Sequence, residues 1–170
     1  MSTPAQSTDA QRSAEPEGRF SPRRLYGALA LGEMITWALL LFGMALKYTD
    51  MTPAVVPVAG MLHGIVFVSY CVVTVFVWVD GRWSAGRGLL GLLSAIVPFC
   101  TYPFERNTLK AGLLGTAWRL GAGGEEPRGP LERLQSWCLR HAGLAIVLGV
   151  LLVAAIVTVL LILGPPVPQG

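Results

Sequence analysis

The sequence predicts an all-α, polytopic membrane protein: a bundle of four transmembrane helices with short amphipathic helices at the membrane surface. Apolar residues make up 53% of the 170 residues, and charged residues only 14%. A water-soluble domain of this length needs a more polar surface. Apolar runs long enough to span a bilayer also recur along the chain, since a hydrocarbon core about 30 Å thick requires about 20 residues of helix.

The N-terminal part of the chain separates into a polar tail and a first membrane anchor. Residues 1–22 have no apolar period and predict a disordered tail. The run from Tyr26 to Leu46 is too long for the apolar core of a cleaved signal peptide, so we expect it to remain as a helix. The basic residues ahead of it are Arg19, Arg23 and Arg24. By the positive-inside rule they place the N-terminus in the cytoplasm.

Three further apolar runs follow. The second, from Ala54 to Val79, returns to the cytoplasm, with Trp78 and Trp83 as interfacial aromatic residues. The third, from Gly88 to Phe104, has only about 17 residues, the lower limit for a crossing. The predicted divisions of the chain are a membrane core domain at 23–120, a flexible linker with an amphipathic helix at 121–141, a C-terminal transmembrane helix at 142–164 and a tail at 165–170.

The linker region contains two short amphipathic segments, which predict helices lying on the membrane surface. The first segment places Leu109, Leu113, Leu114 and Trp118 on one helical face. The second segment places Leu131, Leu134, Trp137 and Cys138 on one face.

The third run decides the topology. If all four runs cross, the basic loop 105–141 faces outward, against the positive-inside preference. If the third run is re-entrant, it enters the membrane and returns around Pro98, and the loop 105–141 faces the cytoplasm. The irregular backbone of the third run must then be buried in protein. We expect four crossings, because the run is just long enough, with the re-entrant segment as the alternative.

An ionisable side chain lies inside each of the first two runs. Glu33 and His63 are each about 12 to 14 Å from opposite edges of the membrane at 1.5 Å per residue, so they lie at similar depth. We expect Glu33 to accept a hydrogen bond from His63 in an intramembrane polar site that includes Thr36 and Tyr70. Two roles stay open, structural hydrogen bonding and a proton relay or small-ligand site.

Two further pairs complete the candidate residues. Gly60 and Gly64 share a face of the second helix with His63 and are expected to let the first two helices pack closely. If all four runs cross, Lys47 and Glu105 lie on the outer side and form an ion pair, which at an exposed position contributes about 0 to 1 kcal/mol.

The same residues carry a resemblance to a known family. They are Glu33 to Trp37, Leu46, Lys47, Tyr48, Gly60, His63, Gly64, Tyr70, Ile96, Pro98, Phe99, Phe104, Glu105 and Arg106. From Arg24 to about Leu120 the chain resembles the small bacterial membrane proteins grouped as domain of unknown function 3817. The resemblance implies a bacterial plasma membrane and a core of about three apolar segments. It implies no established activity and does not reach the last helix.

The sequence favours a protein that is not an enzyme. It holds no nucleophile–base pairing, metal-ligand spacing or phosphate loop, so we predict no catalytic residue, metal or cofactor. The first hypothesis is an accessory or assembly subunit that binds other membrane proteins or further copies of itself. The alternative is proton or small-solute translocation through Glu33 and His63. Basic residues scattered beside membrane segments favour contact with lipid head groups, not nucleic acid.

Overall fold

The computed structural model describes residues 20–151, and every regular element in that range is a helix. The helices are α1 (Pro22–Tyr48), α2 (Val55–Asp80), α3 (Ala85–Ile96), α4 (Thr101–Lys110), α5 (Pro130–Arg140) and α6 (Ala142–Leu151). The chain divides into two compact units, residues 1–119 and 120–170. The all-α prediction is confirmed for the described residues, whereas the count of four crossings is not.

Helices α1 and α2 form an antiparallel pair and are each long and apolar enough to cross a membrane. Ser21 caps α1 by accepting a hydrogen bond from the backbone N–H of Arg24 at 3.2 Å, and Pro22 occupies the first turn. Both features suit a helix start, because the first backbone N–H groups have no partner inside the helix. The helix therefore begins four residues before Tyr26, where the predicted apolar run starts.

The close approach of these two helices depends on glycines of α1. A Cβ atom built on Gly43 would lie 3.1 Å from Cγ1 of Val55, and one on Gly32 would lie 3.4 Å from Cγ1 of Val66. The contact at Gly43 is tighter than ordinary van der Waals packing, so a larger residue there requires a shift of Val55. The small residues that admit the partner helix therefore lie on α1, facing valines of α2.

The third apolar run does not form one continuous helix. It is split into α3 and α4 by a break that contains Pro98 and Phe99, the latter with a positive φ of 67°. The indole N–H of Trp37 donates to the carbonyl of Ala95 near the end of α3 at 3.2 Å, and the hydroxyl of Thr101 at the start of α4 donates to the carbonyl of Ala30 at 3.0 Å. Helices α3 and α4 therefore form a hairpin, and its turn lies beside the middle of α1.

The hairpin starts and ends at the same end of the α1–α2 pair. Helix α3 begins shortly after α2 ends at Asp80, and Glu105 of α4 lies against Gly27, near the start of α1. Neither half reaches spanning length. The expected third crossing at 88–104 is therefore not confirmed: in the described residues this run forms two short helices that return to the end of the α1–α2 pair at which they began.

An aromatic cluster forms the core at this end. Trp83 is buried and packs edge-on against the rings of Tyr26 and Phe104, with centroids 6.0 and 6.2 Å away. The indole N–H of Trp78 donates to the carbonyl of Trp83 at 3.1 Å. These two tryptophans therefore hold α1, α2 and α4 together, a packing role beyond the interfacial one that the sequence predicts.

Residues 111–119 wrap this core in an irregular conformation. Helix α4 ends at Lys110, and Gly112 follows with a φ of 68°, so the predicted amphipathic helix through Leu113 and Trp118 does not form. The side chain of Arg119 instead donates to the carbonyls of Asp80 at 2.7 Å and Val79 at 3.1 Å. A cation bound to the last carbonyls of α2 satisfies groups that have no partner within the helix.

In the second unit, α5 and α6 meet at an angle of 103°. The predicted amphipathic helix is found as α5, with Leu131 and Leu134 exposed on its apolar face. Only the first part of the predicted helix 142–164 is described, as α6. The remainder of that helix, the tail at 165–170 and residues 1–19 of the predicted N-terminal tail lie outside the described residues.

The packing of α3 on α2 gives a direct test of the hairpin. A Cβ atom on Gly88 would overlap the indole ring of Trp78, so Gly88→Ala must displace that ring. We expect a loss of about 1–3 kcal/mol in the free energy of unfolding, as for other overpacked sites. The measurement is the thermal unfolding midpoint in detergent micelles. Gly86→Ala on the same helix is the matched control, since its Cβ meets nothing within 4 Å. Equal midpoints for the two variants would contradict this packing.

Candidate functional site

Glu33 and His63 lie together between α1 and α2. The distance from Oε2 of Glu33 to Nδ1 of His63 is 3.6 Å, and the glutamate side chain is fully buried while the imidazole is 14% exposed. The residues are therefore neighbours, as their equal depth predicts. Their separation is somewhat longer than a hydrogen bond, so the expected direct bond is not made at this distance.

Thr36 connects the two residues. Its hydroxyl donates to the backbone carbonyl of Glu33 at 3.1 Å, one turn earlier in α1, and its oxygen lies 3.3 Å from Nδ1 of His63. A hydroxyl has one proton, so an oxygen that donates to the carbonyl is left to accept from the imidazole. This geometry favours the His63 tautomer that carries its proton on Nδ1.

Within the described residues, neither carboxylate oxygen of Glu33 has a hydrogen-bond partner. The surroundings are apolar and aromatic: the His63 ring lies 4.6 Å from the ring of Trp37 and 6.0 Å from that of Phe67, between centroids. Burying a polar group without a partner is costly, and native proteins rarely tolerate it. Glu33 therefore differs from an ordinary structural polar residue.

The hairpin contacts α1 on both sides of Glu33. Thr101 binds the carbonyl of Ala30, about one turn before Glu33, and Ala95 accepts the indole N–H of Trp37, about one turn after it. These contacts fix the inward face of α1 at the depth of the site. Sequence reasoning missed Ala95 and Thr101, although Pro98 between them was the signal that the run could break.

Tyr70 belongs to a separate hydrogen-bond network. Its hydroxyl lies 2.7 Å from that of Tyr26 and 3.0 Å from that of Ser94, so it joins α1, α2 and α3. It is seven residues beyond His63, about 10 Å along α2. The predicted placement of Tyr70 beside Glu33 is therefore not found.

The close packing of α1 on α2 that the sequence predicts at Gly60 and Gly64 is not found at Gly64, where a Cβ atom would meet nothing within 4 Å. A Cβ atom on Gly60 would meet Leu40 of α1 at 4.0 Å, an ordinary van der Waals contact. We call the surface formed by Gly60 and Gly64 the glycine notch. It lies on α2 directly beside His63 and is open at Gly64.

The predicted ion pair between Lys47 and Glu105 is not formed either. Glu105 lies against Gly27 near the start of α1, whereas Lys47 is in the last turn of that helix, about 30 Å away at 1.5 Å per residue. The prediction depended on a third crossing, which the hairpin replaces. Instead, Oε2 of Glu105 lies 3.6 Å from Nε of Arg106. Burial raises the pKa of the Glu105 carboxyl, while Arg106 and Arg23 act in the opposite direction.

The residues of the site contain no metal centre that the structure can identify. Across residues 20–151 there is no cluster of three or more His, Cys, Asp or Glu side chains arranged to hold a metal ion. A carboxyl and an imidazole, as at Glu33 and His63, can exchange protons and form hydrogen bonds.

Comparison with known proteins assigns the family. Residues 23–110 match the family described as Domain of unknown function (DUF3817). The chain belongs to this family. The DUF3817 region spans α1 to α4, so it contains Glu33, His63 and the hairpin, and it ends before α5. The resemblance noted in the sequence is confirmed.

Two bacterial relatives are named as membrane proteins. The chain is 38% identical over 113 residues to SCO5905 of Streptomyces coelicolor, a match that covers 65% of this chain but only 13% of that protein. It is 31% identical over 69 residues to the uncharacterised membrane protein YdzA of Bacillus subtilis, covering 41% of this chain and 72% of YdzA. No solved structure matches the chain. This DUF3817 protein is therefore a bacterial membrane protein.

Proposed function

We propose that the protein is a non-enzymatic accessory or assembly subunit that binds a transmembrane helix of another membrane protein at the glycine notch. One observation carries the proposal: Gly64 has open space around its Cα, immediately beside an imidazole that is 14% exposed. At the notch a position without a side chain therefore lies next to a polar group.

The membrane makes such a surface suitable for helix binding. Helices in lipid associate through close packing at small residues and through hydrogen bonds, because hydrocarbon gives no hydrophobic drive for association. An imidazole facing hydrocarbon is costly, and a partner helix seated on Gly60 and Gly64 would cover His63 and offer it a hydrogen bond. The notch thus provides both kinds of interaction.

The relatives support this role. The matching region forms only 13% of SCO5905 but 72% of YdzA, so similar sequence occurs within a much longer chain and as most of a short one. A module that is covalently joined to a larger membrane protein in one bacterium is suited to bind other membrane proteins non-covalently when it stands nearly alone.

The accessory role is tested by purification in mild detergent from the native membrane. A stoichiometric membrane-protein partner is expected to remain bound to the wild type, and to be lost on Gly64→Leu, a substitution at a position where a Cβ atom would meet nothing within 4 Å. Ile65→Leu, at the exposed neighbouring position, is the matched control and retains the partner. Retention of the partner by Gly64→Leu at normal abundance contradicts the proposal, as does a wild type that purifies without any partner.

The arrangement of the helices also supports a topology in the bacterial plasma membrane. In the proposed topology the N-terminus is cytoplasmic, α1, α2 and the run that begins with α6 cross, and the hairpin enters from the cytoplasmic side. The basic loop 105–141 is then cytoplasmic, in agreement with the positive-inside rule. Supporting this, α4 ends beside the start of α1, and the backbone N–H of Arg23 donates to the carbonyl of Gly115 at 3.2 Å.

Cysteine labelling in intact cells tests the topology. In a chain whose native cysteines are replaced by alanine, Arg128→Cys is expected to react with a membrane-impermeant maleimide only after the cells are permeabilised. Met51→Cys, at an exposed position in the turn between α1 and α2, is the control and reacts in intact cells. Strong labelling of Arg128→Cys in intact cells would instead support four crossings.

A second candidate function, proton translocation, is favoured by the unpartnered carboxyl of Glu33. A proton on the partly exposed His63 can pass from Nδ1 to Oε2 across 3.6 Å after a small movement, leaving a neutral acid and a neutral imidazole. The buried carboxyl then holds the proton until a second group accepts it. A second copy or another subunit would have to complete the path, because two spanning helices and a hairpin are too few to surround a pore.

Proton flux into vesicles distinguishes the two functions. With the protein in vesicles that contain a pH-sensitive dye, and with a potassium diffusion potential imposed, translocation predicts proton entry that Glu33→Gln abolishes. Glu105→Gln makes the same chemical change outside the site and is expected to leave the flux intact. Equal proton entry into empty and protein-containing vesicles would exclude translocation by the protein alone, and a variant that fails to accumulate would indicate a structural role for Glu33.

A further inference from the structure

A cavity of about 310 Å³ lies between α1 and α4, at the end where α1 begins. Three arginine side chains line it, and its other walls are largely apolar. The arginines are Arg23, Arg24 and Arg106, and the apolar residues are Ala28, Leu31 and Leu109. Such a volume is at the lower end of the range for small-molecule pockets, roughly 300–1,000 Å³.

The polar side of the cavity is held in place by packing. Arg106 donates to the hydroxyl of Tyr102 at 2.8 Å, and its guanidinium lies 4.9 Å from the centre of that ring. Glu105 also lines the cavity and is only 4% exposed. It packs against Gly27: a Cβ atom built on Gly27 would lie 3.4 Å from Oε1 of Glu105. The cavity therefore presents solvent-accessible guanidinium groups beside one buried acceptor.

The position of the cavity along α1 matches the boundary between lipid head groups and hydrocarbon. A helix of 27 residues is about 40 Å long, which exceeds a hydrocarbon core of about 30 Å, so its first turn lies among the head groups. Arg23 and Arg24 are in that turn. Leu31 is about two turns deeper and 43% exposed, and Ile35 continues the same exposed face.

We propose that this cavity binds the head group of a membrane glycerophospholipid, with its phosphate on the three arginines and an acyl chain along Leu31 and Ile35. Three guanidinium groups and one carboxyl leave a net positive charge that a phosphate neutralises, and arginine is well suited to phosphate. The buried oxygen atoms of Glu105 accept a hydrogen bond from the head group. Ethanolamine and glycerol head groups have the donor that this requires, and choline does not.

The apolar walls of the cavity favour a lipid over free phosphate as its occupant. A small soluble anion gains nothing from Ala28, Leu31 and Leu109, whereas a lipid continues from the cavity onto the exposed apolar face of α1. The site is independent of the glycine notch, since it involves α1 and α4 and not the exposed face of α2.

Native mass spectrometry of the full chain, titrated with short-chain phospholipids, tests the site. Phosphatidylethanolamine and phosphatidylglycerol are expected to bind more tightly than phosphatidylcholine. Arg24→Gln on α1 and Arg106→Gln on α4 should each weaken binding about tenfold, because each removes a charge-assisted contact to phosphate. Arg133→Gln, on α5, is the control with unchanged binding.

Several results would overturn the proposal. One is equal binding of all three lipids to the wild type and to both arginine variants at unchanged thermal stability. Another is displacement of the lipid by millimolar inorganic phosphate, which would identify a soluble anion as the occupant. Glu105→Leu separates the head-group contact from the phosphate contact: it is expected to remove the preference over phosphatidylcholine, and a retained preference contradicts the role of Glu105.

Discussion

The structure depends on satisfying backbone hydrogen bonds where the third apolar run breaks. In hydrocarbon no water can bind a free carbonyl, so irregular backbone survives at depth only when protein groups satisfy it. The last carbonyls of a helix have no partner inside that helix. In α3 the carbonyl of Ala95 is satisfied by the indole of Trp37, and on α1 the carbonyl of Ala30 accepts a second bond from Thr101. The break is possible because α1 offers these side chains and carbonyls at the matching height.

This constraint also determines what lies on each side of the hairpin. Because α4 must return along α1, Glu105 and Arg106 are brought to the start of α1 and form one wall of the arginine-lined cavity. Because α3 packs along α2, the hydroxyl of Tyr70 bonds to that of Ser94 on α3 and does not lie beside Glu33. The Tyr70 network and the arginine-lined cavity are therefore both consequences of a single turn in the chain.

Sequence patterns were sufficient where a feature depends on one helix and insufficient where it depends on a choice between neighbours. Length and hydropathy fixed α1 and α2, and counting residues from each end placed Glu33 and His63 at a common depth, where the structure has them 3.6 Å apart. The spacing of Gly60 and Gly64 marks a small-residue face but not the helix that covers it. Tyr70 shares a face with His63, yet it lies two turns farther along α2, where its hydroxyl meets Tyr26 of α1 and Ser94 of α3. The Lys47–Glu105 pair failed because its premise, a third crossing, could not be decided from length alone.

The state of Glu33 links the two proposed functions. A purely structural carboxyl would use its oxygen atoms, and the nearest hydroxyl proton, on Thr36, is already donated to the backbone carbonyl of Glu33. The remaining donor, Nδ1 of His63, is shared with the Thr36 oxygen and lies 3.6 Å from the carboxyl. A buried acid in this position requires either a proton or an additional donor. Translocation supplies the proton from His63, and an accessory role supplies the donor indirectly, since a partner helix at the glycine notch can reposition the imidazole toward Glu33. The two functions therefore differ in what completes the site: a proton that moves through it in translocation, or the helix of a partner protein in the accessory role.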